Sequence, residues 1–322
     1  MKKILFLIIS SILVVYSSPA LASWGYSAPV GDNAVMTDPL EAGQAIFSAD
    51  VENFWVTEII DMSVPPWLPA EWAPLGDANI DSIYGWMVPV RVGYGVTNDL
   101  SVRLTAPLMS LNMKADSGDQ YDSGAGDLIV EALYQVMKES AAMPAILVNM
   151  GVRLPTGRRY KSSFIDYAEF SMGTGANELL FSGILKKKLG PVNGKAVLTY
   201  NRPDPVVYDD GITLVSKEKW IYSFSLVYPT GLVDVGGEIW AINAGPELWK
   251  DFPGYGNVVF ESSSISAMYG SLFAVLQASP TLAFRGAMHF PLSQQPSWSQ
   301  SDAGFNMLRG GKVSFGAELK TI

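Results

Sequence analysis

From Tyr84 to Val96 the chain reads YGWMVPVRVGYGV, and every even position is bulky and apolar: Tyr84, Trp86, Val88, Val90, Val92, Tyr94 and Val96. The odd positions hold Gly85, Met87, Pro89, Arg91, Gly93 and Gly95. Successive side chains of a strand point to opposite faces, so this stretch has one apolar face and one that is mostly small or polar. Aromatic rings stand at or near both ends of the apolar face. A strand between lipid and a lumen has this pattern, and so does one strand of a soluble sandwich. The other segments separate the two readings.

The alternation recurs from Gln44 onward, between turn signals of two kinds. A first strand is expected over Ala45–Ile60, then a Pro- and Trp-rich loop, Asp61–Ser82. After Tyr84–Val96 comes the tight turn Thr97-Asn98-Asp99 and a return over Leu100–Leu108, then a Gly- and Asp-rich loop, Lys114–Gly126. Asp127–Met137 and Met143–Leu154 form the next pair, followed by the long loop Pro155–Ala176. Strands around Leu179–Leu185 and Lys195–Asn201 flank the short turn Gly190–Gly194. Arg202–Ser216 and Asn243–Gly256 read as long loops on either side of the hairpin Trp220–Tyr228 and Leu232–Ile242. Asn257–Ala278 reads as one long strand with a phase slip near Ser262–Ser264. Leu282–Leu292 and Gly304–Ile322 complete the chain, with Ser293–Ala303 as the last long loop.

Short and long connections alternate, as they do in outer-membrane barrels, whereas a sandwich has no reason to sort loops by parity. The expected fold is all-β, an antiparallel up-and-down transmembrane β-barrel of about 12 strands, within a range of roughly 10 to 14. Both termini fall on the short-turn side. Tyr94, Tyr134 and Tyr228 precede short turns, while Tyr84, Tyr200, Trp220 and Phe290 sit at the other strand ends, as two interfacial girdles would.

Composition agrees. The 322 residues are 48% hydrophobic and 16% charged, against about 25% charged in soluble proteins. Yet no stretch after the leader approaches the ~18 apolar residues of a spanning helix. Lys2-Lys3, the apolar Ile4–Tyr16 and Ala20-Leu21-Ala22 have the layout of a signal peptide, so Met1–Ala22 is expected to be cleaved before Ser23. Without the two leader lysines, 20 basic residues face 31 acidic ones, a formal charge of −11. Residues 23–43 have no clear period and are expected to be an arm or a plug, with the barrel over 44–322. Cysteine is absent, which excludes disulfides, thiol catalysis and a lipid-modified cysteine anchor. No basic patch suggests nucleic acid.

Gly93-Tyr94-Gly95-Val96-Thr97-Asn98-Asp99-Leu100-Ser101, Gly124-Ala125-Gly126-Asp127-Leu128 and Val152-Arg153-Leu154-Pro155-Thr156-Gly157 occur in order, followed by Gly173-Thr174-Gly175-Ala176-Asn177 and Gly237-Glu238. Together they resemble the outer-membrane β-barrels described as "putative MetA-pathway of phenol degradation", from about Tyr84 to the C-terminus. The resemblance implies a barrel linked to uptake of small, often aromatic or hydrophobic, compounds and supplies no catalytic residues. Ile322 stands where such barrels commonly end in an aromatic residue.

The expected function is a passive outer-membrane channel or transporter for small, hydrophobic or aromatic solutes, without cofactor or enzymatic activity. Its expected partners are outer-membrane lipids, the barrel assembly machinery and the solute. A structural or surface-interaction barrel with a filled lumen is the alternative. A lipid hydrolase is a third reading, resting on the single histidine, His289, with a serine such as Ser293, but no nucleophile motif sits nearby. Asp116, Asp119, Asp122 and Asp127 lack the spacing of a calcium loop, so no metal site is expected. Candidate lumen residues are the charged or polar groups on the inward parity: Arg91, Arg103, Asp127, Glu131, Arg153, Glu178, Glu238, Arg285 and His289. Counting from the turns sets Glu131 diagonal to Arg153, an expected ion pair, and leaves Arg91 and Arg103 free for a ligand, a plug or water.

Overall fold

The structure, a computed structural model, describes residues 39–60, 80–115, 119–157, 173, 175–209, 211–252, 256–260, 265–295 and 309–321. The expected leader, residues 23–38 of the expected arm and most of three long loops lie outside the described residues. In chain order the strands are β1 (Ala45–Ile60), β2 (Ile80–Gly95), β3 (Leu100–Ala115), β4 (Gln120–Ala125), β5 (Leu128–Met137), β6 (Ala145–Leu154), β7 (Glu178–Leu189), β8 (Val192–Pro203), β9 (Val206–Val207), β10 (Thr213–Val215), β11 (Lys219–Tyr228), β12 (Val233–Ala244), β13 (Glu247–Phe252), β14 (Gly256–Phe260), β15 (Ile265–Ser279), β16 (Leu282–Gln295) and β17 (Arg309–Lys320).

One sheet runs β2-β1-β17-β16-β15-β12-β11-β8-β7-β6-β5-β3 and closes through pairing of β2 with β3. Both β4 and β5 pair with β3, over Met113–Leu108 and Thr105–Leu100 respectively. They act as one strand interrupted at Gly126-Asp127, where the Gly126 N–H still reaches the Pro107 carbonyl at 2.8 Å. The result is a closed antiparallel barrel of twelve strands. Closure joins the first strand to the last, so neither is left as an unpaired edge. Short turns connect β2 to β3, β5 to β6, β7 to β8, β11 to β12 and β15 to β16. Gly190 illustrates why one of them is so short. With φ at 64° it takes the first position of a two-residue turn that a side chain would disfavour, and Pro191 takes the second.

Alternation sorts the faces as the sequence pattern indicates. Trp86, Val92, Leu104, Tyr134, Phe181, Tyr222, Phe224, Leu226, Phe284 and Phe315 are exposed on the outer surface. In water, an apolar surface that extensive would be an aggregation hazard; against lipid tails it is the required one. Tyr200 and Trp220 are cross-strand partners with ring centroids 4.7 Å apart.

Four expectations about the connections are corrected. The stretch expected as the loop Lys114–Gly126 contains β4, because the extended end of β3 offers backbone groups that must be paired. The expected loops Arg202–Ser216 and Asn243–Gly256 contain β9, β10 and β13. With β14 these make a second sheet, in the order β14-β13-β10-β9. The stretch expected as one strand, Asn257–Ala278, is therefore two strands in different sheets, divided around the expected phase slip. The second sheet depends on Thr213–Val215 of one connection pairing with Leu248–Lys250 of another, a contact that no local pattern announces.

The segment just before β1 crosses the short-turn end. The Leu40 N–H donates to Ser101 Oγ at 2.6 Å, the Ala42 N–H to Asn98 Oδ1 at 3.0 Å, and the Gly43 N–H to the Gly95 carbonyl at 2.8 Å. Leu40 packs on Ile46. A side chain at Gly95 would collide with the Glu41 carbonyl, so glycine is what lets this strap lie so close.

Candidate functional site

The inward faces of β1, β2, β16 and β17 carry the first charge cluster. Asp50 on β1 is buried between two guanidiniums, Arg91 of β2 and Arg285 of β16. Residue Gly316 of β17 pairs with both Asp50 and Arg285, and a Cβ there would meet the Asp50 carboxylate. Missing that side chain, β17 lets Arg285 reach over it to β1. Glu52, two residues on and on the same face, binds Lys312 Nζ at 2.9 Å and lies 4.0 Å from Arg91. Burying carboxylates this deeply is costly unless cations and hydrogen bonds surround them.

A second cluster joins β6, β7 and β11. Arg153 and Glu178 face each other in register and pair at 2.7 Å; Lys219 binds the other Glu178 oxygen at 3.2 Å. Asp127, in the break between β4 and β5, is buried and accepts the Gly157 N–H at 3.0 Å. Arg103 and Glu131 are cross-strand partners, and Glu131 accepts from Asn149 Nδ2 at 2.5 Å. Two expected pairings are thus revised. Glu131 is diagonal to Arg153 as counted, but each has another partner directly opposite, and the shorter cross-strand contact wins. Arg91 is bound to Asp50 rather than free, and Arg103 sits in the field of Glu131.

Polar groups continue around the wall through β8, β11, β12, β15 and β16. Lys195, Ser225, Glu238, Ser271 and His289 form one row of cross-strand neighbours, all buried. His289 Nδ1 lies 2.7 Å from Ser271 Oγ. The expected partner Ser293 instead lies opposite Met268 and is exposed. Next to this row lie apolar groups. Trp240 and Tyr269 stack with ring centroids 4.2 Å apart, and Leu133, Ala145, Leu147, Ile184 and Val197 make one contiguous cluster. Of the acids considered for calcium, Asp116 lies outside the described residues. Among the described residues no three potential ligands converge.

Asp50, Glu52, Lys195, Lys219 and Lys312 were not singled out in the sequence, though the signal was there. Ser48, Asp50 and Glu52 alternate with Phe47 and Val51 just as Ser314 and Glu318 alternate with Phe315 and Leu319.

The model of the family described as "Putative MetA-pathway of phenol degradation" matches residues 76–237, half of the chain. The protein belongs to this family. No curated protein matches the chain. Among solved structures, the chain is similar to an outer membrane channel from Pseudomonas putida F1, with TM-score 0.68 and 11% identity, covering 88% of this chain and 98% of that one. The likeness shows the fold: an outer-membrane β-barrel. The NanC porin has a TM-score of 0.46 at 9% identity, over 85% and 100% of the two chains. A variant of the TodX monoaromatic hydrocarbon channel has 0.46 at 9%, over 94% and 95%.

Proposed function

We propose that the protein is a passive outer-membrane channel for small hydrophobic or aromatic molecules. The observation that carries this reading is the closed twelve-strand barrel with an apolar outer face and charged and polar groups on its inner wall. The outer face of a membrane barrel must be apolar; the inner face is under no such requirement and is ordinarily polar. Membership of a family whose description refers to phenol degradation supports the same solute class. In this reading Met1–Ala22 is removed on export, the barrel assembly machinery inserts the mature chain, and residues 23–43 serve as an arm or a plug.

A second reading, a barrel with a filled interior, is favoured by the burial of its inward side chains. Ser48, Asp50, Glu52, Ser101, Ser110, Leu133, Leu147 and Glu178 are all less than 2% exposed. Reconstitution of the full chain into liposomes separates the two. A channel gives single-channel conductance and speeds entry of a small neutral aromatic above protein-free vesicles; a filled barrel gives neither. The lipid-hydrolase reading predicts release of fatty acid from vesicles that stops in His289→Ala.

A further inference from the structure

The turn that leads into β1 has a direction. The Gln44 N–H donates to the Glu41 carbonyl at 2.9 Å, and Gly43 at the bend has a φ of 83°. Glu41, Ala42 and Gly43 are exposed at the short-turn rim. After the turn, β1 runs away from that rim along β2. Before it, the chain is already inside. The Leu40 N–H is held by Ser101 Oγ, on the inward face of β3, and the Leu40 side chain packs on Ile46, on the inward face of β1. A Cβ on Gly93 of β2 would meet both Ile46 and Leu40. A tight turn reverses the chain, so a chain that leaves this one along the wall arrives at it from within the ring.

Once Met1–Ala22 is removed, residues 23–38 precede this point. Extended, they reach about 50 Å, against about 25 Å for the apolar band of a membrane barrel. They include Trp24, Tyr26, Val30, Val35 and Met36, and their only charges are Asp32 and Asp38. The wall at the entrance suits both features. The Arg103 side chain borders the same spot over Gly93 as Leu40 does. Leu133, the cross-strand neighbour of Ser101, and Leu147 have no exposed surface, although they stand on the inner face of a wall one strand thick. Side chains on one face of a sheet lose all contact with water only where something lies over that face. We propose that residues 23–38 pass into the barrel from the short-turn end and occupy its lumen as a plug, laid along β2, β3 and β5. The inference chooses the plug over the arm. It rests on the channel reading above only for its consequence in transport, which is that passage requires the plug to shift.

The chain has no cysteine, so single cysteines report position without background. Ala34→Cys probes the segment, and Ala142→Cys, on the exposed turn between β5 and β6, is the reference. The folded mature chain in micelles is treated with a small thiosulfonate reagent and with a polymer-linked maleimide. Ala34→Cys should react with the small reagent about tenfold or more slowly than Ala142→Cys, as a site reached only by local opening does. It should stay closed to the polymer until the barrel is heat-unfolded. Leu133→Cys should be unreactive in the full chain and become reactive when residues 23–38 are deleted. Equal rates at Ala34→Cys and Ala142→Cys overturn the plug and leave an arm. A Leu133→Cys that stays unreactive in the folded deletion variant also overturns it, because the opposite wall is then the cover. Heat-modified gel migration verifies folding; should the deletion variant fail to fold, the Ala34→Cys rates decide alone. Conductance is recorded separately. A protected Ala34→Cys in a barrel that stays silent with and without the segment keeps the plug and removes the channel reading. A conducting full chain whose Ala34→Cys reacts freely does the reverse.

Discussion

Arg285 binds Asp50 across an intervening strand, 235 positions away in the chain. The strand between them, β17, presents Gly316 at the crossing, and Arg91 approaches the same carboxylate from β2. One buried carboxylate thus ties three strands together across a fourth, at the seam where the first and last strands meet. Backbone pairing of β1 with β17 closes the barrel, and this contact fixes the closure from inside.

Arg285→Ala should destabilise the barrel by about 3–5 kcal/mol, since it leaves a buried carboxylate short of a partner. Gly316→Leu should act in the same direction by filling the space Arg285 crosses. Urea unfolding in detergent micelles, followed by gel migration, measures both. Wild-type stability in Arg285→Ala would mean that Arg91 alone satisfies Asp50.

Phe224 lies at the middle of β11, exposed on the outer face. Phe224→Arg should cost about 2–4 kcal/mol if that face meets the hydrocarbon core. The same unfolding measurement, made in lipid vesicles, checks it. A neutral outcome would put the apolar face against something other than lipid.

The revised pairing of Arg153 predicts where its coupling energy resides. A double-mutant cycle with Glu178 should give a coupling of about 1 kcal/mol or more, in the range of contacting residues. The equivalent cycle with Glu131 should give about half that or less. Reversed values would restore the pairing counted from the turn.

The strap before β1 lies against Gly95. Gly95→Val should push it off the short-turn end, because a side chain there collides with the Glu41 carbonyl. Glutamyl endopeptidase, added to folded protein in micelles, should then cut after Glu41 faster than in wild type. Unchanged cleavage would show that the strap tolerates displacement without release.

Spacing along the chain is enough to tell which way most side chains face. A strand has a period of two whatever its neighbours are, so Tyr84, Trp86, Tyr222 and Phe284 could be set outward, and Arg91, Glu178 and His289 inward, from spacing alone. It also determined the order of strands, because short turns allow only neighbouring antiparallel pairs. The tertiary structure decided who binds whom. Asp50 meets Arg285 only because barrel closure brings β1 beside β17 and glycine stands at the crossing point. Arg153 chooses Glu178 over Glu131 because register across a long loop, which no turn residue encodes, sets them face to face. The sheet formed by β9, β10, β13 and β14 has the same origin. Periodicity is a property of one segment, whereas a pairing depends on two segments and on the closed ring that holds them together.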